Sequence, residues 1–409
     1  MSVAAAVASG SYLRLLRERC GLSQPEVSRL SGSAPRPLDK GTLSRIEHGQ
    51  QGIALPTLIT LGHIYQVPGE VLLERLELDA ELERLGGVET TGRSQFELLR
   101  RGRRALLVEN DKWQAYGYFR DASLARTSGE VDPPLRDEEE QQAVIHQNLA
   151  TVARSLGKNR FALHELQELE GRRALGSARH AVLLDRIANC HRCLGNFDGA
   201  LRYGKAAIAE ATFYRELRPL AFALFSLAEI ALALGDLQQA DQDFHRAFRA
   251  YRQAGDGTGA VSPNPAFEVS ALLKLADLDQ RRGRHDRSGR LALAAMSLSL
   301  RRQLPSGRAY AEIALAELDE RHGHDERAAA RWRRAGEIAM SLRNRRMAFS
   351  AEFYAFRHAL RRGNRALARI ALHKLERLAP WVPPHVPELG EFRDLARQSG
   401  GTSEEVRSC

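Results

Sequence analysis

Two stretches forty residues apart decide the fold: Leu194-Gly195-Asn196-Phe197-Asp198-Gly199-Ala200 and Leu234-Gly235-Asp236-Leu237-Gln238-Gln239-Ala240. Each reads as the end of one helix, a glycine turn and the start of another, with a small residue five after the glycine. The pattern returns at Arg282-Gly283-Arg284-His285, at His322-Gly323-His324-Asp325 with Ala328, and at Arg362-Gly363-Asn364-Arg365 with Ala368. Glycines 195, 235, 283, 323 and 363 are spaced 40, 48, 40 and 40 residues apart, the long interval holding an insertion from Gly255 to Pro265. A weaker unit surrounds Gly157 and Trp113 marks one more, so about six repeats are expected over residues 94–379. A single helix pair cannot bury its apolar face alone, whereas stacked pairs can.

Helix, glycine turn, helix in tandem resembles the tetratricopeptide repeat. The period here exceeds the usual ~34 residues, which points to longer loops between repeats. The resemblance implies a concave surface lined by side chains nine and six residues before each turn glycine. Those positions hold Asn148 and Thr151, Arg186 and Asn189, Ser226 and Glu229, Lys274 and Asp277, Ala314 and Glu317, Tyr354 and Arg357. All but Ala314 can hydrogen-bond, whereas Leu184, Ile187 and Ala188 occupy the opposite side of the same helix. Amides and guanidiniums suit peptide backbone and carboxylate capture, so Asn148, Arg186, Asn189, Glu229, Lys274 and Arg357 form the expected peptide or partner site. A merely solvated face would carry the same residue types. Pro380-Trp381-Val382-Pro383-Pro384 breaks the array, leaving 380–409 as a cap and tail.

Composition agrees with an all-α chain. Of 409 residues 43% are hydrophobic and 27% charged, proline is confined to a few places, and no convincing alternating strand occurs. Four cysteines among 409 residues are too few for a disulfide scaffold and favour a reducing cytoplasm. No apolar run reaches the roughly 18 residues of a membrane span, and the opening alanines lack a basic leader, so neither membrane nor signal peptide is expected. Cys190-His191-Arg192-Cys193 lacks the second pair that a zinc site needs and reads as buried structure. No phosphate loop, catalytic triad or paired-carboxylate motif stands out, so no enzyme and no cofactor is expected. The net charge of +9 invites a nucleic-acid reading. Its placement tempers that, because residues 1–66 contain seven Lys/Arg against four Asp/Glu, only +3.

Five short helices are legible in residues 9–78, ahead of a Gly- and Thr-rich hinge within 79–93. The first spans about Ser11 to Cys20, with Leu13, Leu16 and Cys20 on one face, and ends at Gly21. Ser23-Gln24-Pro25-Glu26 opens the second as a capping box, with Val27 and Leu30 inward. Asp39 caps a third, Lys40 to His48, whose apolar residues are Leu43 and Ile46. The fourth runs from Leu55 to Tyr65, and the fifth from Pro68 to Leu76.

Gly21-Leu22-Ser23-Gln24, Leu43-Ser44-Arg45-Ile46-Glu47-His48-Gly49, Pro56-Thr57-Leu58 and Val67-Pro68 together resemble the phage-repressor-like (Cro/C1, xenobiotic-response-element type) helix-turn-helix family. The resemblance implies that the third helix enters the major groove of double-stranded DNA. Lys40, Thr42, Ser44 and Arg45 would then face DNA, with Gln24 at a phosphate and an ion pair between Arg17 and Glu47 orienting the recognition helix. Two departures stand out. The turn Gly32-Ser33-Ala34-Pro35-Arg36-Pro37-Leu38 is longer than the family's, which makes Arg36 a candidate backbone contact, and Gly41 is a poor helix former. Such a headpiece followed by tetratricopeptide-like helices is similar to bacterial peptide-pheromone-responsive regulators, which implies a homodimer with a peptide or protein ligand in the groove. The rivals are an interaction scaffold with a vestigial headpiece and a regulator that sequesters a partner protein.

Overall fold

The computed structural model describes residues 3–33, 37–107, 109, 111–125, 129–133, 135–172, 175–256, 265–382 and 386–400. Twenty α-helices and two single 3-10 turns account for the secondary structure among these residues, as the composition led one to expect. No helix of the described residues is long and apolar enough to cross a membrane. The chain divides into two compact units, 1–176 and 177–409.

The first unit opens with α1 (Val3–Arg19), α2 (Gln24–Leu30), α3 (Lys40–Glu47), α4 (Leu55–Tyr65) and α5 (Gly69–Arg84). The capping box forms: Ser23 N–H donates to Glu26 Oε2 at 2.7 Å, and Glu26 N–H returns to Ser23 Oγ at 3.4 Å. Asp39 caps α3 through Thr42 N–H at 2.8 Å. Two helices exceed their sequence-based bounds. α1 begins eight residues before Ser11, and α5 continues to Arg84, so residues 79–84 of the expected linker 79–93 are helical, while its Gly- and Thr-rich stretch from Leu85 follows the helix. Burial explains the second extension: Leu78, Asp79 and Leu82 are enclosed, and Gly86 and Gly87 with φ of 102° and 65° then end the helix. Two of the expected inward residues are not inward, since Leu30 is 51% exposed and Cys20 is exposed too.

Two helix pairs complete this unit: α6 (Gln95–Leu107) with α7 (Lys112–Leu124), and α8 (Glu138–Ser155) with α9 (Asn159–Arg172). The headpiece is seated on them by a buried polar cluster. Asp79 of α5 accepts Tyr116 Oη at 2.7 Å, Arg75 Nε at 3.1 Å and Ser9 Oγ at 3.2 Å. The Arg75 guanidinium lies over the rings of Tyr12 (4.7 Å) and Phe161 (5.5 Å), which recovers part of the cost of burying a charge. Glu74 accepts the Phe161 N–H at 2.9 Å, and Lys158 pairs with Glu77.

The second unit holds five helix pairs. They are α10 (Ser177–Cys193) with α11 (Phe197–Phe213), α12 (Leu217–Ala233) with α13 (Leu237–Asp256), and α14 (Pro265–Arg281) with α15 (His285–Arg301). α16 (Pro305–Arg321) with α17 (Asp325–Ser341) and α18 (Arg345–Arg361) with α19 (Arg365–Leu378) follow, before a closing α20 (Pro387–Gly400). With the two pairs of the first unit this makes seven, one more than the sequence repeats suggested.

The extra length of the period was expected in the loops, and it lies in the helices instead. α10, α11, α12 and α14 to α18 each have 17 residues. Between them run three-residue turns, such as 194–196 and 214–216. Each turn within a pair places glycine in the left-handed region, for example Gly195 at φ 78°, so that Asn196 N–H closes on His191 C=O at 2.9 Å. The turns between pairs close the same way on non-glycine residues: Arg215, Gln303 and Arg343 have φ of 51–57°. Ala200, Ala207, Ala292, Ala295, Ala328 and Ala335 are fully buried on the second helices, where the lack of bulk lets neighbours approach closely. Cys190 and Cys193 are buried and unbridged.

Candidate functional site

In α3 the periodicity separates two faces. Leu43, Ile46 and Glu47 are buried at 0%, 2% and 4% exposure, while Lys40 and Arg45 are exposed and Thr42 and Ser44 half-buried. The outer face is partly pre-arranged. Arg45 Nε donates to Gln51 Oε1 and its Nη2 to Thr42 Oγ1, both at 3.0 Å. Thr42 Oγ1 in turn donates to Asp39 Oδ2 at 2.6 Å, which with the Thr42 N–H bond holds the Asp39 carboxyl below its usual range. Among the described residues Lys40 makes no ion pair. Gly41 is exposed on this face, and a Cβ there would stand 3.1 Å from Asp39 Oδ1 and 3.5 Å from Arg45 Nη1.

The inner face carries the ion pair that the family resemblance implied. Arg17 Nε meets Glu47 Oε1 at 2.6 Å and Nη2 meets Oε2 at 3.0 Å, while Nη1 donates to Leu22 C=O at 2.7 Å. The hydrogen bonds it donates to Glu47 raise the Arg17 pKa further. Gln24, expected at a phosphate, donates its side-chain nitrogen to Glu47 Oε2 at 2.8 Å and is half-buried. The lock on α3 therefore has three members. Two glycines bring α1 against the end of α3: a Cβ on Gly10 would stand 2.3 Å from Ile46 O, and one on Gly49 2.4 Å from Val7 N. Arg36, the candidate in the long turn, lies outside the described residues.

Of the six expected groove residues, Asn148 belongs to α8 in the first unit and is half-buried. The other five lie on the first helices of pairs in the second unit, where most are tied to a neighbouring pair. Asn189 is 9% exposed and donates to Ser226 Oγ at 2.8 Å and to Asp185 O at 3.0 Å. Arg192 Nη2 reaches Glu229 Oε2 at 3.2 Å, and Lys274 Nζ reaches Glu229 Oε1 at 3.0 Å. Gln280 donates to Glu317 Oε2 at 2.7 Å, and Arg357 lies 4.9 Å over the Tyr354 ring and 3.7 Å from Glu391. Arg186 is half-buried and has interactions of its own.

These contacts obey one rule. A residue six before a turn glycine bonds one nine before the next, as in Asn189–Ser226 and Glu229–Lys274. A residue three before bonds one six before, as in Arg192–Glu229 and Gln280–Glu317. Sequence reasoning missed Arg192, Ser226 and Gln280 as partners, although the period less one turn, 37 residues, was legible in the glycine spacing. Burial would raise the Glu229 carboxyl, but Arg192 and then Lys274 outweigh it and hold it down at about 2. Glu317, with no such pair of cations, is pushed up by burial. The face nine, six and three residues before the turn glycines is thus a ladder of mutually satisfied groups, in which Lys274, Asp277 and Arg186 stay half-exposed.

Residues 9–76 match the family described as Helix-turn-helix domain. No curated protein matches the sequence. Among solved structures, a Rap protein complexed with competence and sporulation factor is 12% identical with a TM-score of 0.56, over 94% of this chain and 99% of that one. The Rap conjugation gene regulator of plasmid pLS20, in complex with the Phr* peptide, is 12% identical with a TM-score of 0.54, over 90% and 95%. Aspartyl phosphate phosphatase F from Bacillus subtilis is 13% identical with a TM-score of 0.51, over 92% and 94%. At such identities the likeness is one of fold: an N-terminal helical region followed by tetratricopeptide-like pairs.

Proposed function

We propose that this protein is a cytoplasmic, homodimeric transcriptional regulator that binds double-stranded DNA through α3 and a peptide or protein ligand on the concave face of its repeats. The observation that carries the reading is the two-faced recognition helix. Lys40, Thr42, Ser44 and Arg45 lie outward on a short helix, and Arg17, Gln24 and Glu47 fix its orientation from behind. Short polar side chains at the start of a groove-bound helix read base edges, and Lys or Arg beside them neutralise phosphates. The ligand half of the reading is supported by the polar positions on α10, α12, α14 and α18 and by the Phr* peptide and the competence and sporulation factor named for the two Rap structures. Selection of bound fragments from genomic DNA tests it: a palindromic consensus fixes the site and the two-fold symmetry together, and recovery of no sequence overturns it.

A partner-binding scaffold with a vestigial headpiece is the second reading. It is favoured by the inward-turned amide of Gln24 and the commitment of Thr42 and Arg45 to intramolecular bonds. Stoichiometric co-purification of one protein, with no salt-dependent DNA binding, selects it.

A further inference from the structure

α1 has a second face. At about 100° per residue Arg19 lies roughly 20° from Tyr12 around the helix, while Arg17 is about 140° away. The face that holds Arg17 looks to α3, and the face that holds Tyr12 and Arg19 looks to α8 and α9. There His146 of α8, 4% exposed, joins the two. Its Nδ1 is 2.7 Å from Glu165 Oε2, and the other oxygen of that carboxylate accepts Tyr12 Oη at 3.2 Å. Its Nε2 is 3.3 Å from Arg19 Nη2 and 3.1 Å from Gln142 Nε2.

Both groups facing Nε2 are donors, and neither can become an acceptor. A guanidinium has no lone pair to offer. The Gln142 amide is held in its orientation because its Oε1 receives Gln95 Nε2 at 2.7 Å and its Nε2 donates to Ser123 O at 3.3 Å. His146 Nε2 is therefore the acceptor, and the ring is neutral with its proton on Nδ1. The charged and titratable groups around it are Tyr12 and Arg19 from α1, Arg75 of α5 above the Tyr12 ring, and Glu165 and His164 from α9; α6 and α7 present Gln95 and the Ser123 carbonyl. Burial would raise the Glu165 carboxyl, but His146 and then Arg19 hold it at about 2, so it stays a carboxylate wherever imidazoles titrate.

We propose that His146 is a proton-operated latch on the headpiece: a proton on Nε2 takes the place of Arg19, and the C-terminal half of α1 is released from α8. The protonated ring keeps Glu165 as its partner, now as an ion pair, while the Arg19 cation is repelled. Because Arg17 projects from the other face of the same turns of α1, release reaches α3 through Glu47. That last step rests on the DNA-binding reading; the latch itself does not.

The test is amide hydrogen exchange on the full-length protein without DNA, at about pH 8 and about pH 5, corrected for intrinsic exchange. In the wild type, protection of residues 15–22 is expected to fall about tenfold at the lower pH. His146→Gln, which keeps an acceptor and cannot be protonated, should hold its protection at both. Arg19→Gln, which has no cation to expel, should lose the pH dependence even if His146→Gln folds poorly. A wild type without the change, or a change of equal size in Arg19→Gln, overturns the latch. Since no DNA is present, these outcomes are independent of whether the headpiece reads a sequence.

Discussion

Gly10 of α1 passes so close to Ile46 of α3 that a Cβ would stand 2.3 Å from the Ile46 carbonyl oxygen. The obstacle is backbone on both sides, with no side-chain end to swing away. Gly10→Ala is expected to destabilise the protein by about 1–3 kcal/mol through forced separation of the helices. Gly41→Ala, on the outer face of α3, gains up to about 1 kcal/mol of helix propensity but sets its Cβ 3.1 Å from the capping Asp39 Oδ1, so it should cost much less than Gly10→Ala, and weaken DNA binding if the DNA approaches there. Denaturant melts should show the larger loss for Gly10→Ala.

Glu47→Ala strands the Arg17 guanidinium and removes the acceptor of Gln24. Breaking a buried pair from one side costs on the order of 3–5 kcal/mol. The double variant Arg17→Met/Glu47→Leu leaves no stranded charge and should be more stable than Glu47→Ala. A thermal scan of the three proteins checks the order.

Reversing charge at Lys40 and Arg45 together should abolish sequence-specific DNA binding with helix content unchanged. The single variants discriminate roles. Loss of a phosphate contact weakens all sequences alike and lowers the salt slope by about one unit, whereas loss of a base contact costs about 1–3 kcal/mol at one position of the site. Binding titrations at stepped salt, with matched and mismatched sites, read both.

Glu229 makes part of the array's stability acid-sensitive. Its folded carboxyl titrates at about 2 against an ordinary value of 4.5. The stabilisation is therefore fully present above the ordinary value and lost as pH falls through the folded one. Glu229→Gln should be less stable than the wild type at neutral pH, and the difference should shrink between about pH 4.5 and 2. Chemical melts stepped through that window test the sign; a constant difference rules it out.

Where the sequence was informative, local chemistry sufficed. Ser23 with Glu26, Asp39 before Thr42, and the turn glycines act within a few residues, and each lies where spacing placed it. What escaped depended on length and on distant partners. The fifth helix, expected to end at Leu76, runs on to Arg84 because α7 covers Asp79 and Leu82, a contact with no local signal. Asn189 read as a free ligand donor because its acceptor, Ser226, is 37 residues away in the next pair. Gln24 shows the same limit, its amide nitrogen facing a carboxylate 23 residues on.

The seating of α1 has a consequence for the order in which the chain assembles. In the second unit the two helices of every pair are joined by a three-residue turn, so pairs can close quickly and independently, as low contact order allows. α1 is different: Ser9 waits for Asp79 seventy residues later, Arg19 for His146 at 127 and Tyr12 for Glu165 at 153. Such long closures come late, because chain entropy is spent before any contact repays it. α1 is thus made before the helices that seat it and is among the last of these to find its place. During synthesis its aromatic and cationic face stays open to water until α9 has emerged.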